Sequence, residues 1–186
     1  MNNKDIAKYE REFIGGNPKV FRYYNDDESK HIDILTSLDG YFKDTKVCAT
    51  IGLNEVDIGI ESNNKPITIE LMAAATLDNE YLENIVAAVA LDIIDSKCCK
   101  CGTVFKNEIL EYYNNLEMKH VVLITPMFWE KYNDIEEENR HIVWLFLMPI
   151  SDKELEYLNK NGLDSLEKLL EEKKVDILDY KRKSCI

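Results

Sequence analysis

Two apolar faces in one short run constrain this chain more than anything else in it. From His141 to Met148, an extended backbone puts Val143, Leu145 and Leu147 on one face and Ile142, Trp144, Phe146 and Met148 on the other. A strand that is apolar on both faces must be covered on both, so it belongs inside a sheet with elements packed above and below it. Pro149 lacks the N–H needed to continue a ladder. Ser151-Asp152-Lys153-Glu154 has the S-x-x-E spacing of a capping box, with Ile150 and Leu155 placed as its hydrophobic staple. A helix is therefore expected from Ser151 to Lys160, with Asn161 or Gly162 as the left-handed stop. Leu163, Leu166, Leu169 and Leu170 then line a second short helix. This stretch is scaffold and carries no chemistry.

The rest of the chain supplies the sheet. Ile6, Tyr9, Phe13 and Ile14 give a helix from about Lys4 to Ile14, stopped by Gly15-Gly16. Lys19 to Tyr24 and His31 to Thr36 read as two strands joined by the polar loop Asn25 to Lys30. Lys46 to Ile51 makes a third strand. The alternation of Val56, Ile58 and Ile60 predicts a fourth, and that of Ile67, Ile69 and Leu71 a fifth, half-buried one with Thr68 and Glu70 on its polar side. Asp78 is the expected cap of a main helix ending near Ser96. That helix is apolar around most of its circumference and so should lie buried across the sheet. Thr103-Val104-Phe105 and His120 to Ile124 are further extended segments, with Phe128-Trp129 expected to pack nearby, and a short strand is possible at Val175. Helix, run of strands, helix, strands and helical pair is not a β-α-β alternation. The fold class predicted is α+β, an α/β sandwich whose mixed, largely antiparallel sheet is packed with helices, in one domain over residues 1–186.

Composition narrows the function classes. With 45% apolar and 31% charged residues and no Pro/Gly/Ser-rich tract, the chain is expected to fold throughout. The longest apolar runs, Ile85 to Leu91 and Ile142 to Pro149, are too short to span a bilayer, and Met1 to Asp5 has no apolar signal core. Five cysteines, three of them in Cys98-Cys99-Lys100-Cys101, do not make a disulfide framework and suit a reducing cytoplasm. Twenty-three basic against 35 acidic residues leave a formal charge of −12, which repels nucleic acid and fits either plain solubility or capture of a basic partner.

The usual catalytic signatures are absent: no G-x-S-x-G, no phosphate-binding loop, no G-x-G-x-x-G and no H-E-x-x-H. The cysteine cluster lacks the second pair of ligands that a structural zinc site uses, so it reads as small thiols at a helix end. His31, His120 and His141 lie beside no nucleophile and orienting acid, and read as core or sheet-face residues. Glu70 reads as an exposed-face carboxylate. No cofactor is implied. Two acidic loops stand out, Asp26-Asp27-Glu28 and Asp134 with Glu136-Glu137-Glu138, each following aromatics (Tyr23-Tyr24, and Trp129 with Tyr132). They fit solvated hairpin ends and a binding surface for a basic protein equally well.

The ordered motifs resemble the suppressor-of-fused-like family in its bacterial branch. The resemblance runs through Asn17-Pro18-Lys19-Val20, Ala49-Thr50-Ile51-Gly52-Leu53, Ile69-Glu70-Leu71-Met72, Cys101-Gly102-Thr103-Val104 and His120 to Ile124. It is strongest from Trp144 to Ser151, with Glu154, Gly162, Leu163, Leu166, Asp176 to Asp179, Arg182 and Ser184. Tyr180 stands where the family pattern has proline. The resemblance implies an α/β sandwich used for protein binding and without catalysis. Single-domain bacterial members of this kind are similar to immunity proteins, or antitoxins, that neutralise a cognate toxin, often a nuclease. The expected partner is therefore a toxin with a basic nuclease domain, bound stoichiometrically through Asp26, Asp27, Glu28, Asp134, Glu136, Glu137 and Glu138, with no direct contact to nucleic acid or membrane. Two other classes remain open: an adaptor that holds a peptide as an added strand or in a cleft, and a metal or thiol enzyme built on Cys98, Cys99 and Cys101.

Overall fold

The computed structural model describes residues 1–126, 129 and 132–186. The elements follow in the order α1 (Asn3–Ile14), β1 (Lys19–Tyr24), β2 (His31–Leu38), β3 (Thr45–Ile51), β4 (Ile60–Ser62), β5 (Lys65–Thr76), α2 (Leu82–Ser96), β6 (Val104–Phe105), β7 (Met118–Ile124), β8 (Ile135–Glu136), β9 (His141–Ser151), α3 (Asp152–Asn161) and α4 (Leu163–Glu172). The nine strands form one sheet in the order β1-β2-β3-β5-β9-β7-β6, with β4 added to β5 and β8 to β9. All pairs are antiparallel except β5 with β9, which run parallel from Ile67↔His141 to Met72↔Phe146.

The strand predicted to be apolar on both faces is central, and each face meets the cover it requires. Leu145 and Leu147 join Ile34, Cys48, Leu71 and Ala73 in a core closed by Leu82, Ile85, Val89 and Ile93 of α2. Trp144, Phe146 and Met148 join Val47, Met72 and Ala74 in a second core, closed by Ile6, Phe13 and Ile14 of α1 and by Leu158, Leu166 and Leu170 of α3 and α4. At roughly 1.5–3 kcal/mol for each large side chain taken fully out of water, these two layers dominate the stability. Tyr9, Phe13, Tyr132 and Trp144 form an aromatic cluster on the α1 side, with ring centroids 5.3–6.2 Å apart and mostly edge-to-face. Trp129, 2% exposed, packs on Phe13 and Tyr41, whereas Phe128 lies outside the described residues.

Local chemistry fixes the helix ends. Asn2 caps α1 by accepting from the amides of Lys4 (2.9 Å) and Asp5 (3.2 Å), and Gly15 ends it at φ 71°. The α1 terminus then approaches the β2–β3 turn so closely that a Cβ on Gly40 would lie 2.3 Å from the Ile14 carbonyl oxygen. The capping box at Ser151 and Glu154 is present as predicted.

Several expectations are corrected. Pro149 does not end its strand, because β9 has left β5 by then and pairs only with β7, where Pro149 lies opposite Val121, so one side of the strand needs no donor. The alternation at Val56 and Ile58 is not a strand: after a 3-10 turn at Leu53–Glu55, pairing starts only at Ile60. β5 is longer than expected and buried along most of its length, because α1 and α2 cover its two faces. α2 begins at Leu82 and Asp78 does not cap it; the Asp78 carboxylate instead receives Thr76 Oγ1 and pairs with Lys181. No strand forms at Val175.

Candidate partner-binding site

The register brings both acidic loops to one end of the sheet. The β1–β2 hairpin tip follows Tyr24↔His31, and the loop between β8 and β9 sits beyond Glu136↔His141 at the start of β5. From β2 to β9 there are three strand spacings, or about 14 Å. The loops thus share an end of the molecule without forming one cluster.

The hairpin tip is tightly made. Asn25 accepts the Lys30 amide at 2.9 Å, its own amide donates to the Lys30 carbonyl at 3.1 Å, and Glu28 takes the left-handed conformation at φ 57°. Asp27 accepts from the hydroxyl and the amide of Ser29, which hold its carboxyl below the ordinary range. The cations nearby are already engaged, Arg22 by Asp33 and Lys30 by Asp95, so Asp26 and Glu28 project into solvent.

Behind the tip lies a cavity of about 360 Å³ lined by Tyr23, Tyr24, Asp26, Leu91, Asp92 and Tyr112 among others. Burial and the neighbouring Asp95 push the Asp92 carboxyl up. Burial, then Asp92 and Glu111, push Glu108 up to about 7. Asp95 is paired with Lys30, and Asp92, Glu108 and Glu111 continue the acidic side chains of the hairpin across this end of α2. Sequence reasoning missed this extension. Its only signal was Asp92 and Asp95 interrupting an otherwise apolar helix at i, i+3, answered by Glu108 and Glu111 at the same spacing.

The second loop behaves differently, because its acids are held by the chain's own bases. Lys65 Nζ lies 3.0 Å from Glu136 and holds that carboxyl below its usual range. Glu137 accepts from Arg140 Nε at 2.6 Å and from the amino terminus, while Arg140 also donates to Asn54 Oδ1 at 2.8 Å. Asp134 receives the Tyr132 hydroxyl and faces His141 Nε2 at 3.6 Å. Glu138 is exposed. This loop is a latch between β9, β5 and the N-terminus.

Three further carboxylates are structural. Glu70, expected on an exposed face, is fully buried because α1 covers that side of β5. It accepts from Thr50 Oγ1, the Asn54 side chain and the amides of Gly52, Leu53 and Asn54, and so shapes the turn after β3. Burial pushes it up to about 7 against those hydrogen bonds. Glu10, also fully buried, accepts from Trp144 Nε1 at 3.0 Å, and burial followed by the Glu70 charge raises its carboxyl well above the ordinary range. A general base must reach a substrate proton, and both groups are sealed under α1. Glu154 receives two bonds from Arg182, at 2.6 and 2.9 Å, which pin the C-terminal segment to α3. Burial raises the Glu154 carboxyl, but Arg182 and the amides of Cys185 and Ser151 outweigh it and hold the group low. Tyr180, at the position that departs from the family pattern, is buried in the α2-side core.

All five cysteines are free: Cys98 and Cys101 are exposed, while burial pushes the Cys99 thiol up to about 12. Among the described residues no group of three or more His, Cys, Asp or Glu side chains could hold a metal ion. His120 accepts the Asn107 amide at 2.9 Å and pairs with Asp152, a structural placement on β7. Among the described residues no helix is long and apolar enough to cross a membrane.

A mixed sheet covered by α2 on one face and by α1, α3 and α4 on the other is the architecture of a suppressor of fused domain. The family described as Suppressor of fused protein (SUFU) matches residues 28–183, and the chain belongs to that family. Within it, the chain is similar to Immunity protein YqcF of Bacillus subtilis (strain 168), 37% identical over 188 residues that cover 100% of this chain and 98% of that protein. The fold matches a putative SUFU homologue from Neisseria gonorrhoeae with TM-score 0.74 at 14% identity, covering 99% of this chain and 96% of that one. It also matches a chain of the Sufu-Fu complex (TM-score 0.70, 10% identity, 99% and 92% covered). Drosophila Suppressor of Fused gives TM-score 0.60 at 9% identity, with 98% of this chain matching 50% of that one.

Proposed function

We propose that this protein is a cytoplasmic immunity protein, acting as one domain over residues 1–186, that binds a cognate toxin stoichiometrically and neutralises it without catalysis. The observation that carries the reading is the 37% identity to an immunity protein along the whole chain. The toxin is a basic nuclease domain. A nuclease gathers cations to hold phosphates, and a protein of charge −12 competes for that surface and is steered to it. Asp26, Asp27 and Glu28 make the first contact, backed by the acids of the α2 cavity, while Asp134, Glu136, Glu137 and Glu138 border the same end. Asp26 and Glu28, which project into solvent, favour the hairpin over the second loop, where Glu136 and Glu137 would have to give up internal partners.

Co-expression with toxins encoded in the same locus is the test. Co-purification and survival of cells that otherwise die are the expected results, and a toxin that is neither bound nor neutralised defeats the proposal.

A further inference from the structure

The two edges of the sheet are not alike. β6 at one edge is two residues long, too short to template another chain. β1 at the other edge is six residues long, pairs with β2 in continuous register, contains no proline, and among the described residues has no strand on its outer side. Natural edges are guarded by outward charges, bulges or cover. Here the guard is spent, because Arg22 is folded onto Asp33 of β2 by two bonds of 2.7 and 2.9 Å. The apolar side chains of the strand remain in water: Val20 and Phe21 are each 50% exposed and Tyr24 53%. Phe21 is in register with Ile34 and shares the α2 side, whereas Val20 is in register with Leu35 on the α1 side. Apolar exposure on both faces of one strand matches the loss of a neighbouring strand; a ligand covering one face would leave the other wet.

We propose that the neighbour is a second copy of this chain, paired antiparallel through β1 so that the sheet continues across a two-fold axis perpendicular to it. Such an axis keeps α2 on the same side in both copies, so directly opposed residues must share a face. Placing Phe21 on the axis satisfies this, with Val20 opposite Arg22 and Lys19 opposite Tyr23; placing Arg22 there would bring two guanidinium groups together. Charge selects this occupant. Lys19 starts the strand and Asp26-Asp27-Glu28 follow its other end. Antiparallel pairing turns the lysine of each copy toward the acidic tip of the other, whereas a uniformly basic strand from another protein would meet Lys19 with like charge.

Sedimentation velocity on the full chain up to about 0.5 mM tests this, since self-association follows protein concentration. The mass should rise from 21.6 kDa toward twice that value. Phe21→Lys should hold the chain monomeric with unchanged circular dichroism. If that variant fails to fold, Val20→Lys, which sets a lysine opposite Arg22 of the copy, should do the same. With Cys98 and Cys101 replaced by serine, Phe21→Cys should form an intermolecular disulfide under mild oxidation, whereas Leu38→Cys, equally exposed but outside β1, should not. A chain that stays monomeric at the top concentration, or Leu38→Cys crosslinking as readily as Phe21→Cys, overturns the proposal. So does a monomer whose Phe21→Lys variant loses toxin binding, which would give the edge to the toxin instead.

Discussion

Arg182→Met should be among the most destabilising single changes in this protein, because of what it leaves behind. Arg182 donates to both oxygens of Glu154, at 2.6 and 2.9 Å, and to the Pro149 carbonyl at 2.9 Å; the Glu154 side chain is completely buried and that of Arg182 is 7% exposed. Without the guanidinium, Glu154 keeps only the amides of Ser151 and Cys185, both at 3.0 Å. Orphaning one charge of a buried pair costs about 3–5 kcal/mol. For a chain of 186 residues this corresponds to a fall in Tm of about 6–20 °C at ~2–4 °C per kcal/mol. Urea unfolding followed by the fluorescence of the buried Trp129 and Trp144 measures it. Lys183→Ala is the control: it removes a solvent-exposed pair with Glu117 and should leave the unfolding midpoint unchanged. Adding Glu154→Leu to Arg182→Met should recover part of the loss, since no charge is then stranded. If Arg182→Met costs no more than Lys183→Ala, the clip does not hold the C-terminal segment and the reasoning fails.

Other outcomes follow from the buried carboxylates and the surface acids. Glu70→Ala strands the amides of Gly52, Leu53 and Asn54 and should cost several kcal/mol, at about 1–3 for each orphaned buried group, again by urea unfolding. Glu70 and Glu10 are raised in the folded protein, so the native state binds the extra protons; stability should fall as pH rises from the ordinary 4.5 toward about 7. Glu154 is held low and works the other way, its contribution being lost below the ordinary carboxylate range. Maximum stability at mildly acid pH, with the slope between pH 5 and 7 reduced in Glu70→Gln, is the expected profile, and a rising slope there would contradict it. Replacing Asp26, Asp27 and Glu28 together with lysine should slow toxin association at low salt by about tenfold or more in stopped-flow measurements. The same change at Glu136, Glu137 and Glu138 should also lower the chain's own stability, by releasing Lys65 and Arg140. Unchanged association in both variants would place the interface elsewhere.

The parts of the fold legible in the sequence are those fixed by local pattern. β9 reads from its two apolar faces, α3 from its capping box and α1 from its stripe and glycine stop, because each signal lies within a dozen residues. What could not be read depends on the neighbours. Pro149 stays in its strand because β5 has already diverged. Glu70 keeps a polar alternation that looks solvent-facing, yet α1 seals it and the β3 turn supplies the donors. The acidic hairpin was visible as a run of three carboxylates, but its continuation through Asp92 and Glu108 arises from the packing of distant segments. The distinction between free hairpin acids and latched loop acids required knowing where Lys65 and Arg140 fall. The family resemblance lay in ordered short motifs, and the match over residues 28–183 bears it out.

The most direct test of the central claim is a titration of the purified toxin's activity with this protein. Binding without chemistry predicts a linear fall that reaches zero at one chain per toxin, with the toxin recovered active after the complex is denatured and separated. Toxin disabled at far less than one equivalent, or activity unaffected by an excess, would contradict it.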